Sequence, residues 1–130
     1  MTERQRLVQE YPFLVDKKVD INLAYSFYTY FDSLPITWVK NFGEKLCAEL
    51  KEALIEEGEF ENYKVLQVKE KFGVMRWYDN SNNPRIQSII QKYESLSEKI
   101  CARCGAPATH MTTGWILPIC DNCDKEMGNG

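Results

Sequence analysis

The stretch CARCGAPATHMTTGWILPICDNC, from Cys101 to Cys123, holds four of the chain's five cysteines as two C-x-x-C pairs with fifteen residues between them. No other feature restricts the fold as tightly. A C-x-x-C turn lets two thiolates reach one ion, and a closed tetrahedral site takes four, so the residues between must bring the second pair back to the first. In a reducing compartment such pairs read as metal ligands rather than disulfides. Cys101, Cys104, Cys120 and Cys123 are therefore the expected ligands of one structural Zn2+, with rubredoxin-like iron as the competing metal. Gly105 supplies the permissive backbone a knuckle turn needs. ATHMTTGWILPI reads as two short strands around Thr113-Gly114, the layout of a zinc ribbon.

Four thiolates close the coordination shell and leave no position for water or substrate, so the metal is expected to hold structure. His110, the one histidine, lies inside the ribbon and reads as a strand residue, since four thiolates already suffice. No H-E-x-x-H, phosphate loop or serine-elbow motif is present, and the chain is expected not to be an enzyme.

Upstream, the apolar pattern changes period several times. ERQRLVQEY suits a short helix that Pro12 ends. The segment VDINLAYSFYTYFDSLPI follows, with Tyr25, Phe27, Tyr28, Tyr30 and Phe31 reading as cover for a core. From Thr37, the residues Trp38, Val39, Phe42, Leu46, Leu50 and Leu54 recur at helical spacing until Gly58. Cys47 adjoins this stripe and reads as a buried small hydrophobe. YKVLQVKEKFGVMRWYDN then alternates with period two, a β-hairpin. A two- or four-residue loop places Leu66 and Val68 beside Met75 and Trp77 on the inner face, and leaves Lys69, Lys71 and Arg76 outside with Gln67 and Tyr78. Ile86, Ile89, Ile90, Tyr93, Leu96 and Ile100 form one face of a second helix, capped by Asn82 or Asn83 with Pro84 in its first turn. The expected class is α+β: two long helices packed on a hairpin over residues 1–100, then a zinc-ribbon-like module over 101–130.

The hairpin and its neighbours resemble a known group. VKEKFGVMRWY is similar to a K-E-K-F-G-x-L-R-F-Y signature in small uncharacterised proteins of bacteria and their phages. In these a tryptophan-containing helix precedes the hairpin and a C-x-x-C…C-x-x-C module follows. The resemblance runs from Trp38 to Cys123, with Met75 in place of leucine and Trp77 in place of phenylalanine. It implies the layout and a bacterial or phage setting, and no reaction.

Charge carries the functional expectation. The net value is −3, which does not favour whole-surface attraction to nucleic acid. Locally, Glu44, Glu49, Glu52, Glu56, Glu57, Glu59 and Glu61 face only Lys45 and Lys51, whereas Lys64, Lys69, Lys71 and Arg76 face only Glu70. The first expectation is a non-enzymatic zinc protein that binds a protein partner through Glu52, Glu56 and Glu59. In a phage or mobile-element setting this would be a modulator of a host nucleic-acid-handling protein. The alternative is a nucleic-acid-binding zinc ribbon using Lys69, Lys71 and Arg76, with Tyr78 or Trp115 stacking on bases. The discriminating feature is the Lys69, Lys71 and Arg76 face: a nucleic-acid binder needs it exposed, while a protein binder can pair it internally. No apolar run approaches the length of a membrane span, and MTERQRLVQEY lacks a signal-peptide core. The expected location is the cytoplasm, that of the host for a phage protein.

Overall fold

The computed structural model describes residues 3–16 and 29–127. The protein is α+β, with helices, an antiparallel hairpin and a cysteine cluster near its C-terminus. Helix α1 (Glu3–Glu10) leads into a 3-10 turn, Pro12–Leu14. Among the aromatics expected to cover the core, Tyr25, Phe27 and Tyr28 lie outside the described residues. Tyr30 and Phe31 are buried, and Phe31 meets the Trp77 ring with centroids 6.2 Å apart.

The helical run that begins near Pro35 has three parts: an α turn, α2 (Ile36–Trp38); a π-helical turn, Val39–Gly43; and helix α3 (Glu44–Glu56). The sequence explains the middle part. Trp38, Phe42, Leu46, Leu50 and Leu54 are spaced strictly by four, which overshoots a 3.6-residue turn, so a straight α-helix would rotate the stripe away from the core. The wider turn takes up part of that drift between Trp38 and Phe42. All five side chains are buried. Cys47 lies with them, and burial raises its thiol pKa well above the usual value, with Glu44 adding to the effect. It remains a neutral apolar residue.

Strands β1 (Val65–Lys71) and β2 (Val74–Asp79) pair through Val68↔Trp77, Lys69↔Arg76, Glu70↔Met75 and Lys71↔Val74. The loop is the two-residue Phe72-Gly73, and both residues have positive φ, 54° and 84°. That is the requirement of a type I′ turn, whose twist matches the strands it joins. The Glu70 carboxylate accepts from the Gly73 amide at 2.9 Å, tying the turn to β1. One inner-face assignment is corrected: Leu66 is exposed and Val65 is buried in its place. A bulge between Val65 and Gln67 inserts one unpaired residue, which flips everything before it to the opposite face.

Helix α4 (Pro84–Ser97) is capped by Asn83, whose side chain accepts from the Arg85 amide. It lies along β2 and supplies what a third strand would supply. Ser97 Oγ accepts from the Met75 amide and Glu94 Oε2 from the Trp77 amide, both at 2.9 Å. Burial raises the Glu94 carboxyl pKa; the Trp77 N–H and Arg76 oppose this, while Asp79 adds to it. On the other edge Ser33 Oγ donates to the Val68 carbonyl. Helices α3 and α4 are joined by the Lys92–Glu49 and Arg85–Glu56 ion pairs and by Tyr93 donating to Glu49. Trp38 and Trp77 belong to one apolar cluster. Among the described residues no helix is long and apolar enough to cross a membrane.

Candidate metal centre and the basic hairpin face

The first cysteine pair follows directly on Ile100, whose carbonyl accepts from the Trp38 indole at 3.0 Å. The Cys101 carbonyl accepts from Thr37 Oγ1 at 2.9 Å and from the Gly105 amide at 2.9 Å, closing the knuckle. Gly105 has φ +85°, a conformation that suits glycine. Strands β3 (His110–Met111) and β4 (Pro118–Ile119) pair antiparallel and carry the chain back. Cys120 is the N-cap of the short helix α5 (Asp121–Glu126), and Cys123 sits in its first turn.

This path brings Cys101, Cys104, Cys120 and Cys123 together, with all four sulfurs within 4.8 Å of one another. Cys104 and Cys120 are 3.6 Å apart. A disulfide needs about 2.05 Å, whereas sulfurs at about 2.3 Å around a tetrahedral ion stand about 3.8 Å from each other. The donor set therefore fits one tetrahedral metal ion. The local electrostatics favour a cation too. Burial works against a charge on Cys101, but amides of Cys104, Cys120 and Arg103 directed at its sulfur outweigh it and bring the thiol down to about 6. Burial and the neighbouring sulfurs push Cys123 up. At Cys104 the Ala106 amide and Cys123 lower the pKa, while Cys120, burial and Cys101 raise it to a net increase. Ionising the raised thiols alongside Cys101 needs a positive charge among them, which a bound cation would supply.

His110 takes no part in this cluster. Its Nε2 lies 2.8 Å from Asp124 Oδ2, and its Nδ1 is 2.9 Å from Thr109 Oγ1, joining β3 to α5. The ribbon also touches the hairpin. A Cβ added at Gly73 would stand 2.9 Å from Met111 Sδ and 3.4 Å from Pro118 Cδ, so the hairpin tip rests on the ends of β3 and β4. Nothing in the sequence signals this contact, because it joins residues far apart in the chain.

The hairpin's outer face carries Lys69, Lys71 and Arg76, with Lys69 and Arg76 directly opposed. Gln67 and Tyr78 are opposed beside them, and Tyr78 is exposed. Among the described residues none of the three cations forms an ion pair; Arg76 lies in the field of Glu94, and Lys71 is 5.9 Å from the Phe72 ring centroid. The acids are used differently. Glu56 pairs with Arg85 at 2.7 Å, and Glu52 lies in the field of the same guanidinium. Glu59 accepts from Ser81 and from Asn83, which also donates to Glu57. Compared with known proteins, the chain matches no family model, no curated protein and no solved structure at a significant level.

Proposed function

We propose that the protein is a non-catalytic, zinc-stabilised nucleic-acid-binding module whose contact face is the outer side of the β1–β2 hairpin. Cys101, Cys104, Cys120 and Cys123 would hold the Zn2+, which, when bound, supplies a closed tetrahedral crosslink and no open coordination site. The observation that carries the binding reading is the Lys69, Lys71 and Arg76 face. Like charges directly opposed on a strand pair are destabilising, and here Lys69 and Arg76 form no ion pair among the described residues, with Glu94 alone acting on Arg76 from a distance. An anion laid across them would relieve that repulsion.

The expectation of a protein partner held by Glu52, Glu56 and Glu59 has less support. Glu56 and Glu59 serve contacts within the fold, and Glu52 acts on the same Arg85 guanidinium that Glu56 pairs with. The test is equilibrium binding of the zinc-loaded protein to labelled nucleic acid over a range of salt concentrations. Each lost phosphate contact should reduce the slope of log K against log salt by about 0.7 to 0.9. Lys69→Ala with Lys71→Ala should therefore flatten it by about 1.4 to 1.8. An unchanged slope, or no measurable binding near about 0.15 M salt, would reject the reading.

A further inference from the structure

Phe72 occupies a position that its side chain disfavours. A type I′ turn needs positive φ at both central residues and is normally built from Asn-Gly, Asp-Gly or Gly-Gly. Here the first of them is phenylalanine at φ +54°, an outlier for a bulky residue. Burial does not compensate, because Phe72 is 65% exposed. Backbone held in a disfavoured region is a sign of function when packing does not explain it.

A second exposed aromatic stands on the loop that joins the residues Gly73 touches. Trp115 is 78% exposed, in the loop between β3 and β4. That loop springs from Met111 and Pro118, the residues on which Gly73 rests. Its backbone is fixed: Thr112 Oγ1 donates to the Trp115 carbonyl at 2.6 Å and accepts from the Leu117 amide at 3.0 Å. The loop is tied down while its indole stays in water. Farther along the hairpin, Tyr78 adds a third exposed ring on the face that carries Lys69 and Arg76.

We infer that the ligand of this surface is a single-stranded nucleic acid, with Phe72 at the hairpin tip and Trp115 on the β3–β4 loop as stacking platforms and the cations of the outer face along its backbone. This rests on the nucleic-acid reading above and goes further, because phosphates alone do not distinguish single strand from duplex. Exposed rings do. Every base has a face that stacks on an aromatic side chain, and duplex bases already stack on each other. Cations interleaved with exposed rings are the pattern of single-strand binders.

The turn provides a test in which stability and binding move in opposite directions. Phe72→Asn creates the Asn-Gly pair that a type I′ turn favours and removes the ring. The expected result is an equal or higher melting temperature, with affinity for single-stranded oligonucleotides of about 20 nucleotides reduced about tenfold. Duplex affinity should not change. A second readout uses Trp115: single strands should quench its emission on binding, and Trp115→Phe should abolish the quenching because Trp38 and Trp77 are buried. Duplex binding as tight as single-strand binding, or undiminished single-strand binding by Phe72→Asn, would overturn the inference and leave the phosphate reading standing. Absence of binding to either form would overturn both.

Discussion

Replacing Gly73 by alanine separates two effects that the structure places on one atom. The first is conformational. At φ +84° an L-residue with a Cβ loses roughly 1–2 kcal/mol. The second is steric and belongs to the contact between hairpin and ribbon. The new Cβ would lie 2.9 Å from Met111 Sδ and 3.4 Å from Met111 Cε and Pro118 Cδ. Because a thioether side chain can move, the lower part of the roughly 1–3 kcal/mol range for overpacking applies. Together they give a destabilisation of about 2–4 kcal/mol. Gly58 supplies the control: it has φ +70° and nothing within 4 Å of where a methyl group would stand, so Gly58→Ala should cost only the conformational part. Urea unfolding of the metal-loaded protein, followed by far-UV circular dichroism, measures both variants. In a Met111→Ala background the excess of Gly73→Ala over Gly58→Ala should largely vanish, a coupling of about 1 kcal/mol or more. If the two glycine variants cost the same, or if Met111→Ala leaves the excess intact, the tip does not bear on the ribbon.

Two further outcomes follow from the core and the cysteine cluster. Purified protein should carry one zinc per chain, and Cys104→Ser or a strong chelator should unfold the ribbon, because metal binding there supplies folding energy; elemental analysis with circular dichroism checks this, and a ribbon that stays folded without metal would refute it. Glu94 gives a pH dependence. Its carboxyl pKa is raised in the folded state, chiefly by burial, so the folded protein holds the proton more tightly than the unfolded chain and stability declines as pH rises from about 4.5 through the folded value. Glu94→Gln keeps an acceptor for the Trp77 amide and should remove that decline, as melting temperatures across pH will report.

The features legible in the sequence are those whose cause is local. Two C-x-x-C pairs with a glycine at the knuckle specify the sulfur cluster, because the ligand geometry leaves few alternatives. The alternation through Val68, Met75 and Trp77 specifies the hairpin faces. Leu66 was not legible, since a bulge depends on pairing along the whole strand rather than on residue type. The π-helical turn had a trace in the four-residue spacing from Trp38 to Leu54. The acidic stretch was legible as charge but not as an internal network, because Arg85, Ser81 and Asn83 are remote in sequence from Glu56 and Glu59. Phe72 had a signal available: an X-Gly pair between two alternating runs implies positive φ at X, and phenylalanine there is out of place.

The seal that α4 places on β2 bears on self-association. A two-stranded sheet has as much edge as interior, and an open edge is a template for strands of other molecules. Here Ser97 and Glu94 occupy the outward amides of Met75 and Trp77 with side-chain oxygens, so a neighbouring chain finds no free donor at these two positions. Protection of this kind is only as durable as the helix that carries it. Any loosening of α4, from loss of the Asn83 cap to loss of its ion pairs with α3, exposes a strand of VMRWYD with its donors free. Whether this edge is open to another strand is thus set by a helix rather than by the strand itself.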